Sequence, residues 1–403
     1  QLEMGGCCCS NAKLRRAALN AVSASGIGYE AVDKKDLEIK IIKGGLSSEA
    51  MFLVKDLRNR VAPVVVRIDA GERSVTTCLA HAAGELGVGP KVYHQERLSR
   101  LEKTLMVMEF LPGGNPSASF FDDPSHCNKF GSLLGKFHTI SVEAIDLSSE
   151  CLEKIRSCEQ NNQAKRVPVA LVAEMLGMQE ADITSDVIDV LGGQADIQGL
   201  FTDFNVILRK AKLQGAAKRL AQAASVFKHD VLQKSVVTHG DIHCRNYMLR
   251  TPDDLVAIDF EVGIRAPPHV DLRWALAQPP RFDEMWAEVD FLAIPTLSEA
   301  GRMAFALGYL TGTGLHDGTP DEAICEALLF DIELTQALSL LWSLFCKAAS
   351  ATDSQDGEVS RLEILIDAVV SLIKQAREDA SARRSIISSG LSTNALKAFK
   401  LNA

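Results

Sequence analysis

Two short segments of the chain carry residues whose types and spacing suit one kind of chemistry. Residues 239–246 follow the pattern H-x-D-x-x-x-x-N, and Asp259-Phe260-Glu261 begins 18 residues after Asp241. The carboxylate of Asp241 could orient an attacking hydroxyl group and accept its proton. The amide of Asn246 and the carboxylate of Asp259 offer the hard oxygen ligands that Mg²⁺ prefers. Together the segments predict transfer of a phosphoryl group from ATP to a hydroxyl group, with Asp241 as the catalytic base.

Other interpretations of these segments stay open at this point. His239-Gly240-Asp241 alone could be a simple turn, and Asp259-Phe260-Glu261 alone could be a strand end. His239, His243 and Cys244 could together bind zinc, although the sequence offers no second pair of zinc ligands elsewhere. We expect His239 to hold the loop in place as a structural residue rather than to react.

Five predicted strands and one predicted helix precede these segments. Apolar residues alternate with polar ones, or form short β-branched runs, in five places, and a helical pattern over 74–87 separates the third strand from the fourth. The predicted strands cover residues 37–41, 51–54, 63–68, 92–93 and 104–110. They predict a small antiparallel lobe over residues 35–112.

The rest of the chain is predicted to be mostly helical. Residues 113–395 form the larger lobe, which could include a helical insertion around residues 150–200. Residues 1–34 are predicted to be an N-terminal tail. The chemistry-bearing segments therefore lie in the larger lobe, after the predicted sheet.

Three features of the predicted sheet suit a bound nucleotide. Between the first two strands, small residues would let backbone N–H groups approach phosphate oxygens, and these residues are Gly44, Gly45, Ser47 and Ser48. On the third strand, the guanidinium group of Arg67 could bind phosphate oxygens directly. At the end of the fifth strand, Glu109 and Leu111 stand where backbone groups could bind the adenine ring.

These residues resemble the choline/ethanolamine kinase and aminoglycoside phosphotransferase group. The likeness runs from about residue 41 to about residue 276, and more weakly to about residue 348. Besides the residues named above, it is carried by residues 89–93, by residues 133–138 and by Asp271-Leu272. The resemblance implies an α+β, protein-kinase-like two-lobe fold with ATP and Mg²⁺ as cofactors. It also implies that Asp241 is the base and that Asn246 and Asp259 bind magnesium.

The chain departs from the family pattern at the partner of Arg67. The helix glutamate expected to pair with this residue aligns with Thr76, and Glu72 or Glu85 could substitute for it. A missing glutamate favours a non-catalytic nucleotide-binding protein on the same fold, whereas the intact base and metal positions favour an enzyme. A protein kinase is disfavoured, because neither a D-F-G glycine nor an A-P-E segment follows Asp259.

The resemblance also implies the class of substrate. Choline pockets in the family use aromatic rings, which attract a quaternary ammonium group through cation–π contact. The candidate substrate residues are Glu261, Trp274 and Trp342. They point to a small, cationic amino alcohol, with choline or ethanolamine first and an aminoglycoside-like substrate as the alternative.

Composition narrows the classes of partner. The chain has 43 Lys and Arg against 52 Asp and Glu, which gives a net charge of −9 and disfavours nucleic acid as a partner. It contains no run of 18 apolar residues, so no transmembrane span is expected. The ten cysteines show no metal-type pairing, which favours reduced thiols and a cytoplasmic location.

The N-terminal segment could nevertheless contact a membrane. If translation starts at Met4, Gly5 becomes available for myristoylation and the cysteines over residues 7–9 for palmitoylation. The usual myristoylation pattern has Ser or Thr where Cys9 stands, so the match is imperfect. Basic residues nearby would strengthen the attachment of an acylated N-terminus. Acylation of this segment would give peripheral membrane association. The alternatives are a disordered cysteine-rich start, or genuine upstream sequence at residues 1–3 that blocks the site.

Overall fold

The described part of the chain forms two compact units. The computed structural model describes residues 8–42, 48–70, 75–99, 101–141, 236–242, 244–260, 263–266, 268–277, 297–314, 322–332, 364 and 367. The first unit contains the described residues up to Pro116, residues 139–141 and the stretch from His239 to Ile264. The second contains the other described residues. The helical insertion predicted around residues 150–200 lies outside the described residues.

A five-stranded antiparallel sheet is the framework of the first unit. Its strands are β1 (Leu37–Ile42), β2 (Ser48–Asp56), β3 (Val64–Ala70), β4 (Val92–Leu98) and β5 (Lys103–Glu109), and they pair in the order β1-β2-β3-β5-β4. Helix α1 (Cys8–Ala24) precedes the sheet, and helix α2 (Val75–Glu85) connects β3 to β4. The prediction of five antiparallel strands with one helix after the third strand is confirmed.

Both faces of this sheet carry apolar side chains. Successive residues of a strand point to opposite faces. On β3, Val64, Val66 and Ile68 belong to a buried apolar core, whereas Val65 and Arg67 line a cavity on the other face. The unbroken β-branched run of β3 thus reflects burial on both sides, which is uncommon for a strand of a simple antiparallel sheet.

Helix α1 covers the core face of the sheet. Its buried residues are Leu14, Ala18, Ala21 and Val22. Further along, Tyr29 is also buried, and its hydroxyl donates to the carbonyl oxygen of Ala62 at 2.8 Å. The segment predicted to be an N-terminal tail, residues 1–34, thus contains a helix and a buried tyrosine in its described part. Apolar side chains on the core face of the sheet must be shielded from water, and α1 packs against them.

A two-stranded sheet follows the segment that carries the predicted catalytic residues. Strand β6 (Val236–Thr238) precedes that segment, and strands β7 (Tyr247–Thr251) and β8 (Asp254–Ala257) form an antiparallel hairpin after it. The hairpin is bonded to the chain after β5, because the backbone nitrogen of Gly113 donates to the carbonyl oxygen of Leu249 at 3.0 Å. A Cβ atom at Gly113 would lie 2.6 Å from that oxygen, so only glycine permits the approach.

Helices dominate the described residues of the second unit. They are α3 (Pro124–Phe137), α4 (His269–Ala277) and α5 (Glu299–Thr313), and residues 322–332 are also helical. Helix α3 begins at Asp123, whose side chain accepts a hydrogen bond from the backbone nitrogen of Ser125 at 2.8 Å. Strand β6 pairs with the short strand β9 (Ile264–Ala266).

Helices α3 and α5 pack with their backbones in contact. The close approach is made at glycines spaced four residues apart, Gly131 and Gly135 on α3 and Gly308 and Gly312 on α5. A methyl group at Gly308 would overlap the carbonyl oxygen of Asn128. Glycine is normally unfavourable inside a helix, so its repeated use here indicates that the close contact itself is required.

A buried polar network joins the three helices α3, α4 and α5. The Nε2 atom of His138 donates to the carboxylate of Asp271 at 2.9 Å, and its Nδ1 atom lies 2.9 Å from the hydroxyl group of Tyr309. All three side chains are buried. Burial, with the nearby charge of Asp271, raises the pKa of Tyr309 well above its usual range. The network therefore fixes the helices and leaves Tyr309 as a neutral hydroxyl.

The described cysteines differ in state. Cys127 and Cys325 are buried free thiols, and burial raises the pKa of Cys127 to about 11. Cys78 is disulfide-bonded, so the expectation of reduced thiols fails at that position.

Within the described ranges, no helix has both the length and the apolar character needed to cross a membrane.

Candidate active site

The predicted catalytic loop is held by hydrogen bonds between its own functional residues. The amide nitrogen of Asn246 donates to Oδ2 of Asp241 at 2.8 Å and to the backbone carbonyl of Asp241 at 3.0 Å. Asn246 is buried in a short 3₁₀ turn, and its carbonyl oxygen accepts from the backbone nitrogen of Ile258 at 2.8 Å. The structure thus brings together Asp241, Asn246 and the residue just before Asp259.

His239 has the structural role expected from the sequence. Its ring is fully buried, and Nε2 donates to the carbonyl oxygen of Ile258 at 2.9 Å. The ring also lies 5.4 Å from the ring of Phe260, measured between centroids. The zinc interpretation of His239, His243 and Cys244 is not tested, because His243 and the side chain of Cys244 lie outside the described part of the chain.

Asn115 fixes the other side of the catalytic loop and was not singled out in the sequence. Its amide nitrogen donates to the carbonyl oxygens of Arg245 at 3.0 Å and Tyr247 at 2.7 Å. One side chain therefore holds the backbone on both sides of Asn246. The only sequence signal for it is its place just after the glycines that follow β5, which does not reveal a partner more than a hundred residues away.

Asp259 has an unusual backbone conformation. Its φ angle is +64°, in the left-handed region that non-glycine residues rarely adopt. Such a conformation costs on the order of 1 kcal/mol and tends to persist where a side chain must be aimed. One carboxylate oxygen, Oδ1, is buried, accepts no hydrogen bond from the described residues and lies 3.5 Å from Nη1 of Arg67. The conformation thus places the Asp259 carboxylate beside a cation.

Arg67 pairs with a carboxylate that the sequence prediction missed. Its Nε atom donates to Oδ1 of Asp69 at 2.8 Å. The expected partner was a glutamate on α2, whereas the structure pairs Arg67 with Asp69 on its own strand and with Asp259. Glu72 lies outside the described residues. The spacing of two residues on one strand was the available signal, because such residues share a face.

A cavity of about 280 Å³ opens on the sheet face that carries Arg67. Most of its lining is apolar and includes Val65, Met106, Met108, Leu111, Met248 and Ile258. Arg67, Asp259 and Glu109 contribute charged residues to the lining, and Leu111 also borders the cavity. Adenine binding by residues 109 and 111 stays a prediction. An apolar slot with a few charged groups is the usual form of a small-molecule site. The whole lining belongs to the first unit.

The carboxylate of Glu109 is fixed by the hairpin. The guanidinium group of Arg250, on β7, donates to both carboxylate oxygens of Glu109, at 2.8 and 3.1 Å. The same group donates to the carbonyl oxygen of Gly89 at 3.0 Å and to Asp254 at 2.8 Å. The side chain of Glu109 therefore anchors residues 109–111, which line the cavity, to the hairpin.

Several predicted site residues cannot be placed. Gly44, Gly45, Ser47, Glu261 and Trp342 lie outside the described residues. Ser48 begins β2 and Trp274 lies within α4, where only the backbone is described. The phosphate loop and the substrate residues thus stay predictions.

The residues present fit a magnesium ion. The amide nitrogen of Asn246 is engaged with Asp241, so its side-chain oxygen is the atom it can offer to a cation. The buried Oδ1 of Asp259, which accepts no hydrogen bond within the described part of the chain, is a second hard oxygen. No group of three or more His, Cys, Asp or Glu side chains suited to a metal occurs among the described residues. A site of this composition suits Mg²⁺, which needs few protein ligands and keeps several waters.

The chain is similar to several solved structures of kinases and phosphotransferases. The chain resembles choline kinase from Cryptosporidium parvum Iowa II with a TM-score of 0.51 and 13% identity, covering 96% of this chain and 99% of that one. It also resembles ethanolamine kinase from Plasmodium vivax with a TM-score of 0.44 and 15% identity, covering 85% of this chain and 82% of that one. The third similar structure is aminoglycoside phosphotransferase from Alicyclobacillus acidocaldarius, with a TM-score of 0.38 and 15% identity, covering 91% of this chain and 95% of that one.

These likenesses to solved structures, at low identity, concern the fold, and the first of them confirms the kinase-like fold that the sequence predicted. Curated protein sequences give no match. The model of the phosphotransferase enzyme family matches residues 38–304, a range that begins at β1, contains the catalytic loop and Asp259, and ends within α5. Because this match covers more than half of the chain, the protein belongs to the phosphotransferase enzyme family.

Proposed function

We propose that this protein is an ATP-dependent kinase that phosphorylates a hydroxyl group of a small, cationic metabolite. One observation carries the proposal: Arg67 and Asp259 supply opposite charges to a mainly apolar cavity that is also lined by residues 109–111 at the end of β5. The cavity offers a slot for an adenine ring and charged groups for phosphates and their metal ion. Membership of the phosphotransferase family supports the same conclusion.

Each charged residue of the site has a separate task in this proposal. When bound, Mg²⁺–ATP supplies the phosphoryl group and the positive charge that neutralises it. Arg67 binds phosphate oxygens, and the oxygens of Asn246 and Asp259 hold the metal ion. Asp241 orients the substrate hydroxyl and accepts its proton. The hydrogen bond from Asn246 fixes the direction of the Asp241 carboxylate, so the base keeps a constant position relative to the metal ligand Asn246.

The proposed substrate is an amino alcohol. The net charge of −9 suits a cation, and a choline kinase and an ethanolamine kinase are among the proteins of similar structure. Glu261, Trp274 and Trp342 are the candidate residues for the ammonium group, through charge and cation–π contact. An aminoglycoside-like substrate is the second candidate, since an aminoglycoside phosphotransferase is also similar. The non-catalytic alternative is weakened, because Arg67 has a carboxylate partner in Asp69.

A substrate panel tests this function. We expect ATP turnover with Mg²⁺ in the presence of choline, ethanolamine or a related amino alcohol, measured as ADP release and as a phosphorylated product by mass spectrometry. Aminoglycosides form the second arm and neutral sugars the third. Phosphorylation of neutral sugars alone would remove the amino-alcohol proposal and keep the kinase proposal. Absence of ATP binding and turnover with every acceptor would remove both.

Asp259→Ala is expected to abolish the magnesium dependence of nucleotide binding. The substitution removes the anionic metal ligand and leaves the apolar slot intact. Isothermal titration of ATP with and without Mg²⁺ measures this directly, without turnover. Asp33→Ala is the matched control, because it removes an exposed carboxylate of the same unit that pairs with Lys35. If Asp259→Ala kept the magnesium response of the wild type, Asp259 would not be a metal ligand.

We also propose peripheral membrane contact through acylation near the N-terminus. The proposal rests on Gly5 and the cysteines at 7–9, with Lys13, Arg15 and Arg16 as adjacent basic residues. Cells expressing the chain from Met4 are expected to hold it in the membrane fraction, and the Gly5→Ala variant in the supernatant. Equal partitioning of the two proteins would rule out myristoylation as the anchor.

A further inference from the structure

The guanidinium group of Arg67 lies between two carboxylates. Its Nε atom is 2.8 Å from Oδ1 of Asp69, and its Nη1 atom is 3.5 Å from Oδ1 of Asp259. The Arg67 and Asp69 side chains are 11% and 9% exposed, whereas that of Asp259 is 25% exposed. The shorter and more deeply buried of the two contacts is therefore the one with Asp69. A charge-assisted bond in such a setting restricts the direction of the guanidinium group.

The position of Asp69 on the strand makes this pair unusually rigid. Asp69 follows Arg67 by two residues on β3, so both side chains leave the same face of the sheet. Both residues are paired on β5, Arg67 opposite Met106 and Asp69 opposite Thr104. A carboxylate on the same strand keeps its distance to the arginine whenever the strand is intact. A carboxylate on a separate helix would depend on where that helix lies.

Helix α2 does not offer an alternative partner on its cavity side. Among its residues the sequence contains one carboxylate, Glu85, at the last position of the helix. The α2 residue that lines the cavity is Ala80, which has no polar group. Within the described part of the chain, the carboxylate bonded to the Nε atom of Arg67 is therefore the one on the strand.

The hydrogen bonding of Asp69 is consistent with a role beyond stability. Its second oxygen, Oδ2, is buried and accepts no hydrogen bond from the described residues. A buried carboxylate with one oxygen unsatisfied is costly, and a buried ion pair is often no more stable than an apolar replacement. The feature that this pair does provide is a guanidinium group with one fixed direction at the edge of the cavity.

We propose that Asp69 is the positioning residue of Arg67, which holds the guanidinium group ready for nucleotide phosphates and leaves Asp259 to the metal ion. This inference rests on the proposed function. It assigns to a strand carboxylate the role that the family resemblance placed on a helix glutamate. It also means that Arg67 is held in place before a nucleotide binds.

The test compares phosphate-dependent and phosphate-independent binding in Asp69→Asn. Isothermal titration is expected to show ATP bound about tenfold more weakly than by the wild type, the effect of losing about 1.4 kcal/mol. Adenosine, which has no phosphate groups for Arg67 to bind, is expected to bind equally to both proteins. A merely structural role would weaken both ligands. Unchanged ATP affinity in a folded Asp69→Asn variant would overturn the proposal.

Asp56→Asn is the matched control. Asp56 is another buried carboxylate of the same sheet, and Arg60 donates to it at 2.9 Å. Hydrogen bonding by Arg60 holds the pKa of Asp56 well below its usual range, so its charge stabilises the fold at pH values above the ordinary carboxyl pKa. The control variant is expected to lose stability and to keep the wild-type affinity for both ATP and adenosine.

A double-mutant cycle separates an action through Arg67 from any other action. In an Arg67→Met background, Asp69→Asn is expected to cause no further loss of ATP affinity. An equal loss in both backgrounds would overturn the proposal.

If Asp69→Asn failed to fold, Asp69→Glu would pose the same question, because it keeps the charge and displaces it by one methylene group. Unchanged ATP affinity in that variant would also overturn it. Failure of the wild type to bind ATP would instead remove the proposed function, and this inference with it.

Discussion

Asp241→Asn is expected to bind ATP with the affinity of the wild type and to transfer phosphoryl groups at least about a hundredfold more slowly, since general-base catalysis contributes roughly 10²- to 10⁴-fold. The amide cannot accept the proton of the attacking hydroxyl. Its size matches that of the carboxylate, so the contact with Asn246 at 2.8 Å can be kept by a flipped amide. Steady-state turnover of the best amino alcohol, measured beside ATP titration, checks both halves of the expectation.

A carboxylate elsewhere in the same unit controls for the loss of charge. The control residue is Asp36, just before β1, whose carboxylate pairs with Arg58 at 3.2 Å. The variant Asp36→Asn replaces a carboxylate by an amide, as Asp241→Asn does. That variant is expected to keep wild-type turnover. If Asp241→Asn also kept near wild-type turnover, Asp241 would not be the base. If it lost ATP affinity in parallel with turnover, its role would lie in binding.

Gly308→Ala is expected to have the largest effect on stability. The added methyl group would overlap the carbonyl oxygen of Asn128 on α3, and a backbone atom cannot move aside as a side chain can. Overpacking of this kind costs about 1–3 kcal/mol and sometimes more, which exceeds the roughly 1 kcal/mol that alanine gains over glycine in a helix. We therefore expect a clear fall in the denaturant midpoint, monitored by circular dichroism.

The same substitution at a roomier position on α5 is the control. A Cβ atom at Gly301 would meet the Cys127 sulfur and the Ser298 hydroxyl oxygen, each at 3.2 Å, so these side chains would have to move by only a few tenths of an ångström. Gly301→Ala is expected to lower the midpoint much less than Gly308→Ala does. Equal midpoints for the Gly308 and Gly301 variants would contradict the close packing of α3 and α5.

Local sequence patterns predicted the sheet well. The five strands follow from alternating or β-branched runs. His239 has the structural placement expected from its position before Asp241, and a 2.8 Å hydrogen bond joins Asp241 and Asn246 of the same loop. These features are accessible to sequence analysis, because strands and loop motifs are encoded by residues close together in the chain. The catalytic and metal-binding roles of the loop residues stay predictions.

Features that depend on distant residues were missed. The cover that α1 gives the sheet could not be derived from residues 8–24 alone, because their role depends on which sheet face remains open. The unbroken apolar run of β3 was a sign that both faces are buried, and it was interpreted only as a strand. Asp69 was overlooked although it shares a face with Arg67, because a helix glutamate was expected. Asn115 bonds residues more than a hundred positions away, which no local pattern encodes.

The place of α1 has a practical consequence for experiments that attach the protein to a surface. Cavity-lining residues such as Val65 and Arg67 leave one face of the sheet, and α1 lies against the other, with stacked layers typically about 10 Å apart. A linkage made ahead of Cys8 therefore continues from a helix behind the sheet and not from the cavity side. Coupling in this way attaches the sheet by the face opposite the cavity, which suits flow-based binding measurements with ATP and adenosine.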